Sequence, residues 1–125
     1  MKTALIHSQA WAGFDYGPEH PLRMERLGLT WRLMQAYGLT ELPASRLYTP
    51  EPAAERELAV FHDPHYLGVL KAANAGAPPP RASAFGLGPG DNPVFRGVWE
   101  AAQLVAAGSL LAADLVAREI GRAHV

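Results

Sequence analysis

Hydrophobic positions between residues 22 and 37 recur with the period of an α-helix. At about 100° per residue, the apolar side chains of this segment share one face of a helical wheel. Pro21 suits the first turn, because a proline leaves no unpaired N–H there, and Gly38 suits a left-handed cap. The pattern predicts an amphipathic helix over residues 22–37, with its central apolar positions at Leu22, Leu29, Leu33 and Tyr37.

Arg26 falls on the apolar side of this predicted helix, between Leu33 and Tyr37. A buried guanidinium is costly unless a carboxylate, a set of carbonyls or water compensates it. We therefore expect Arg26 to be buried, either in a structural ion pair or beside a wet internal cavity.

Short segments on either side of this helix predict further elements. The apolar run over residues 3–7 favours a buried strand of a parallel sheet, and the three prolines of residues 39–52 favour irregular structure. Residues 53–60 predict a short helix, and Asp63 is a natural N-cap for another helix that continues to about residue 73. The intervening loop over residues 8–21 contains Trp11, Phe14 and Tyr16, which predict either the rim of a pocket or packing against the domain.

The second half of the chain reads as a long loop followed by a long helix. Residues 74–93 are rich in glycine and proline, and loops of this length are usually functional or mobile. Asn92 is the predicted N-cap of the last helix, with Pro93 in its first turn, and that helix covers residues 94–120 and ends at Gly121. Its polar stripe is narrow, which predicts burial on most sides. Residues 122–125 resemble the start of a strand, as in a β-α-β rhythm.

Composition restricts the possible functions. The chain has 125 residues, is 49% hydrophobic and 18% charged, and carries a net charge of −1, which disfavours nucleic-acid binding through a basic surface. It has no cysteine, so disulfides, a cysteine nucleophile and a thiolate zinc site are excluded. The longest uncharged run, residues 101–113, is too short to span a membrane. We expect a cytoplasmic chain whose helices need more than two strands to cover them, and hence the N-terminal part of a larger α/β domain.

The histidines do not predict a metal site. Asp63 and His65 have a spacing seen in some zinc sites, but the oxygens of Asp63 are already assigned to capping a helix. No self-contained catalytic set is present either.

Three segments together resemble the histone deacetylase family, most of all its bacterial acetoin-utilisation branch. They occur in the order and spacing of that family, at residues 16–26 (YGPEHPLRMER), 61–67 (FHDPHYL) and 88–95 (GPGDNPVF). The resemblance implies an arginase/deacetylase-like fold, a three-layer α/β/α sandwich with a central parallel sheet, of which residues 1–125 are the N-terminal portion. It also implies zinc-dependent hydrolysis of N-acetyl amides, with acetylated lysine or a small acetylated amine as substrate.

The family's catalytic histidine pair and its zinc ligands are expected after Val125, so this chain alone should be inactive and bind no zinc. The resemblance implies roles only for residues of this chain that lie outside the catalytic centre. Asp91 matches a rim aspartate that accepts hydrogen bonds from the substrate backbone, with helix capping as the alternative. His20 and Pro21 match the loop at the tunnel mouth, and Arg26 matches an arginine lining an internal channel. Two other functions stay open: an acetylpolyamine or small-amide hydrolase on the same fold, and a non-catalytic fragment that acts as a binding or assembly element.

Overall fold

The computed structural model describes residues 3–120. Two strands and four α-helices follow one another, with single 3-10 turns at Gln9–Gly13, Leu39–Glu41 and Ala82–Phe85. Their order is β1 (Thr3–Ile6), α1 (Glu25–Ala36), β2 (Ser45–Tyr48), α2 (Glu55–Leu58), α3 (Pro64–Ala72) and α4 (Val98–Ile120).

The strands β1 and β2 pair in parallel, with Thr3 opposite Ser45 and Ile6 opposite Tyr48. The predicted N-terminal strand is thus confirmed, and α1 connects the two strands as the helix of a β-α-β unit. The prediction of irregular structure over residues 39–52 is wrong where β2 forms. Four residues of mixed polarity between prolines give no readable alternation, so pairing with β1 decides the conformation here.

Helix α1 begins at Glu25, later than the pattern predicts. The preceding residues are held in a turn, in which Leu22 N donates to His20 Nδ1 and Arg23 Nη1 donates to the Pro18 carbonyl. Met24 occupies the N-cap position without a side-chain hydrogen bond. The predicted end of the helix is confirmed, because Gly38 follows the C-cap residue in a left-handed conformation with φ of 67°.

The predicted burial of Arg26 is wrong, because its side chain is exposed. The apolar face of α1 is itself uncovered, with Leu29 54% and Leu33 58% exposed, so that face offers no interior in which a charge would be buried. Within residues 3–120, the side chain of Arg26 has neither a hydrogen bond nor an ion pair.

Helix α3 starts as predicted. Asp63 Oδ1 accepts hydrogen bonds from the backbone N–H groups of His65 (2.7 Å) and Tyr66 (3.4 Å). The bond from His65 lowers the pKa of the Asp63 carboxyl, because it stabilises the charged form.

Helix α4 is capped by a residue from another part of the chain. The prediction of Asn92 as N-cap is wrong, since α4 begins at Val98 and Asn92 Nδ2 instead donates to the Gly86 carbonyl. The bridge between Ala75 and Arg96 keeps the preceding segment extended. Asn74 Oδ1 then accepts from Trp99 N (2.8 Å), and the Asn74 carbonyl accepts from Gly97 N.

The core lies where α3 and α4 pack together with the loops beside them. Its buried side chains include Leu67, Leu70, Leu87, Val98 and Trp99. The narrow polar stripe of α4 predicts burial on most sides, and this prediction is wrong. Only 17% of the most apolar window of α4 is buried. By length and composition α4 is also apolar enough to cross a membrane, a test that core helices of soluble proteins pass as well. The predictions for Gly121 and for residues 122–125 fall outside the described residues.

Candidate functional site

Two loops that are distant in sequence meet through a histidine. His20 Nδ1 accepts a hydrogen bond from Leu22 N (3.1 Å), so the neutral ring carries its proton on Nε2. That nitrogen lies 3.1 Å from the carbonyl oxygen of Asp91, which it meets as a donor. The contact brings together His20 and Asp91, two of the residues that the sequence predicts as site residues, although they are 71 positions apart.

The first of these loops is held by its own backbone. Asp15 Oδ1 accepts from Gly17 N (2.8 Å), and Gly17 adopts φ of 98°, a conformation that suits a residue without Cβ. His20 N in turn donates to the Gly17 carbonyl. This turn therefore fixes the direction in which the imidazole of His20 projects.

An aromatic contact attaches the same loop to the segment before α4. The ring of Tyr16 lies 5.1 Å from that of His20 and 4.9 Å from that of Phe95, with tilted planes in both pairs. Sequence reasoning left the Tyr16 loop open between a rim and simple packing, and both descriptions apply. It missed Phe95 as a contact of the site; its place inside the third family-like segment was the available signal.

A cavity of about 320 Å³ opens between the two loops. Its lining, which we call the rim, consists of Tyr16, Gly17, Pro18, Glu19, His20, Pro21, Gly90, Asp91 and Pro93. An apolar cavity of about 300 Å³ adjoins the rim and shares Tyr16, Asp91 and Pro93 with it. Asp91 is exposed, and its carboxylate has no hydrogen bond or ion pair among residues 3–120. That carboxylate is available to accept hydrogen bonds from a ligand.

The structure thus joins three of the four predicted site residues, His20, Pro21 and Asp91, in one cavity. Arg26 lines neither the rim nor the adjoining apolar cavity. A role for Arg26 in an internal channel stays a prediction.

The described residues do not fit a metal site. Between residues 3 and 120, no group of three or more His, Cys, Asp or Glu side chains is placed to hold a metal ion. Asp63 and His65 approach each other at 3.3 Å, but both are exposed and Asp63 caps α3.

A parallel β-α-β unit with an open cavity between two loops defines the class as an α/β protein with a candidate ligand site. The Histone deacetylase domain family matches residues 20–125. The chain belongs to the histone deacetylase family, as its three sequence segments predict.

Similar proteins agree with this assignment. The acetoin utilization protein AcuC of Bacillus subtilis (strain 168) is 35% identical over 115 residues, which are 91% of this chain and 29% of that protein. Histone deacetylase 9 of Arabidopsis thaliana is 37% identical over 101 residues, covering 78% of this chain and 23% of that protein.

The fold prediction is confirmed by a solved structure. The crystal structure of an HDAC homolog from Aquifex aeolicus superposes with a TM-score of 0.80 at 26% identity, over 91% of this chain and 31% of that chain. The chain therefore has an arginase/deacetylase-like α/β fold, and it spans less than a third of the length of these relatives.

Proposed function

We propose that this chain supplies part of the substrate-binding rim of a deacetylase that hydrolyses N-acetyl amides. The observation that carries the proposal is the hydrogen bond from His20 to the Asp91 carbonyl, because it joins two family-like segments around one open cavity. Membership of the histone deacetylase family supports the reaction class.

The geometry supports a division of work between the two residues. His20 binds the backbone of Asp91 and leaves the carboxylate of Asp91 free. A free carboxylate accepts two backbone N–H groups of an extended acetyl-lysine peptide, and such charge-assisted bonds are stronger than neutral ones. The alternative role of Asp91 as a helix cap is wrong, because α4 begins at Val98 and Asn74 caps it.

The proposed reaction needs a zinc ion, and the described residues do not provide its ligands. The family resemblance implies a zinc ion that activates water, but the residues described here do not fit such a site. We propose that the zinc ligands and the catalytic histidine pair belong to polypeptide beyond residues 3–120, and we derive no catalytic step from this chain.

The experiment is to replace Asp91 by alanine in the deacetylase that contains this chain and to compare two substrates. The loss of charge-assisted hydrogen bonds worth about 1.5–3 kcal/mol should lower kcat/KM on acetyl-lysine peptides by about 10–100-fold. A small acetylated amine has no peptide backbone to bind, so its kcat/KM should change much less.

Glu19→Ala is the matched control, because Glu19 is an exposed carboxylate that lines the same cavity and forms no hydrogen bond with Asp91 among the described residues. It should leave the ratio between the two substrates unchanged. Equal losses on both substrates in Asp91→Ala would refute the clamp and favour a small-amide hydrolase. Binding of acetylated peptides without any turnover would favour the non-catalytic binding element.

A further inference from the structure

Asn92 follows Asp91 directly and does not cap α4, so its side chain has another use. Its Nδ2 atom donates to the Gly86 carbonyl (3.3 Å), and the side chain is exposed. The backbone carbonyl of Asn92 accepts a hydrogen bond from Gly88 N (3.0 Å). These two bonds close residues 86–92 into a loop, which we call the glycine loop, and Asp91 lies near its end.

The glycine loop needs such a closure because its backbone is intrinsically free. Gly88 and Gly90, the two glycines nearest to Asp91, have φ of 150° and 103°. Glycine adopts positive φ about as readily as negative φ, so neither residue restricts the chain to one conformation. A Cβ added to either glycine would meet no atom within 4 Å, so close packing does not restrain the loop there. The hydrogen bonds of Asn92 are therefore the main restraint within the loop.

The backbone of Asp91 is held from two directions. His20 Nε2 donates to the Asp91 carbonyl (3.1 Å) from the other loop of the rim, and Asn92 ties the next residue to the glycine loop. A carboxylate that accepts two backbone N–H groups must point in a defined direction, because hydrogen bonds weaken steeply away from linear geometry. The direction of the Asp91 carboxylate depends on the backbone that carries it.

We infer that Asn92 is a positioning residue for substrate binding, because its amide closes the glycine loop and so orients the Asp91 carboxylate toward a peptide backbone. The inference rests on the proposed clamp and adds a residue to it. Asn92 also lines the apolar cavity beside the rim, so direct contact with the substrate is the alternative. An effect that passes through Asp91 should disappear when Asp91 is replaced, whereas a direct contact should persist.

The first measurement is steady-state kinetics of the deacetylase that contains this chain. Asn92→Ala should raise KM for acetyl-lysine peptides by about 3–10-fold, the equivalent of one hydrogen bond. The kcat value should stay nearly unchanged, because the peptide backbone is bound equally in the ground state and the transition state. KM for a small acetylated amine should hardly change. In the Asp91→Ala background, adding Asn92→Ala should leave KM for the peptide within about 2-fold.

The second measurement is hydrogen exchange of the Gly88 amide in the same deacetylase. This amide should exchange at least about 5-fold faster in Asn92→Ala, because the loop that holds it opens more often. Ser83→Ala is the matched control: Ser83 is an exposed polar residue in the 3-10 turn just before the glycine loop, and its hydroxyl forms no hydrogen bond among the described residues. Ser83→Ala should change neither the exchange nor KM.

Three results would overturn the inference: an unchanged KM for peptides in Asn92→Ala, unchanged exchange of the Gly88 amide, and an equal rise in KM with and without Asp91. If Asp91→Ala loses activity selectively on peptides while Asn92→Ala does not, the inference fails and the proposed function stands. If Asp91→Ala affects both substrates equally, the clamp fails and the inference fails with it, even where Gly88 exchange shows that Asn92 closes the loop.

Discussion

His7 lies between two tryptophans at the end of β1. Its ring stacks on Trp31, with centroids 4.0 Å apart and planes 6° apart, and meets the edge of Trp11 at 6.0 Å. Burial lowers the pKa of His7 below its usual value of 6.5, because the charged ring is less well solvated there.

The lowered pKa predicts a pH dependence of folding. Below about pH 6.5 the unfolded chain binds a proton at His7 that the folded chain resists, so the free energy of unfolding falls as the pH drops. His7→Phe keeps an aromatic ring and removes the proton. In urea titrations at pH 7.5 and 5.5, the wild-type chain should lose more stability than the variant.

The other histidines are present in both proteins, so the difference between them isolates His7. Cation–π attraction from Trp31 to a charged ring would work in the opposite direction. A wild-type chain that loses less stability than His7→Phe would show that this attraction exceeds the cost of burial.

Single residues also show what the sequence can predict. Asp63 caps α3 as predicted, because its partners are its own neighbours in sequence. The helical wheel identified the apolar face of α1, but it could not show whether anything covers that face. Leu29 and Leu33 on that face are exposed, and Arg26 is exposed with them. A helical wheel carries no information about the elements that pack against the helix.

At the scale of elements, the start of α4 depends on a tertiary contact. Asn74 accepts from Trp99 N, and its side-chain amide donates to Glu100 Oε1 (2.9 Å). Replacing Asn74 by alanine should lower the free energy of unfolding by about 1–2 kcal/mol, the usual cost of losing an N-cap. Circular dichroism melts of the 125-residue chain measure this.

Asn92→Ala is the control for that change, since Asn92 is the residue that local sequence rules choose as the cap. Asn92 is exposed, and the one hydrogen bond of its side chain among residues 3–120 goes to the Gly86 carbonyl, so its replacement should change stability by about 0.5 kcal/mol or less. A larger loss for Asn92→Ala than for Asn74→Ala would contradict the observed capping. Local rules failed here because the capping side chain comes from a loop 25 residues away.

For the molecule as a whole, exposed apolar surface is the dominant property. Val60 and Phe61 are each 88% exposed, and Leu33 is 58% exposed. We predict that the purified 125-residue chain self-associates and binds no stoichiometric zinc. Light scattering after size-exclusion chromatography and metal analysis check the two parts. One tightly bound zinc per chain that is lost in the double variant His62→Ala, His65→Ala would contradict the second part.

The fold class could be predicted because three short segments resemble the histone deacetylase family, to which the chain belongs. His20 and Asp91 were both identified from such segments, and their contact across 71 positions confirms that the segments converge. Strand β2 and the true start of α4 could not be predicted, since pairing with β1 and capping by Asn74 are long-range events. The residues of the rim could be predicted from the sequence, whereas the hydrogen bond from Trp11 to the Leu104 carbonyl could only be seen in the structure.

The close approach of Trp11 to Gly108 predicts that the residues at these two positions covary among homologous chains. A side chain at position 108 would force the indole at position 11 to move, because an added Cβ would be 2.9 Å from Trp11 Cζ2. Homologous chains that carry alanine or serine at position 108 should therefore carry a smaller residue at position 11. Such chains would also lose the bond from Trp11 to the Leu104 carbonyl, so their 3-10 turn needs another attachment to α4. The residue at each of these two positions thus limits which residues can occur at the other.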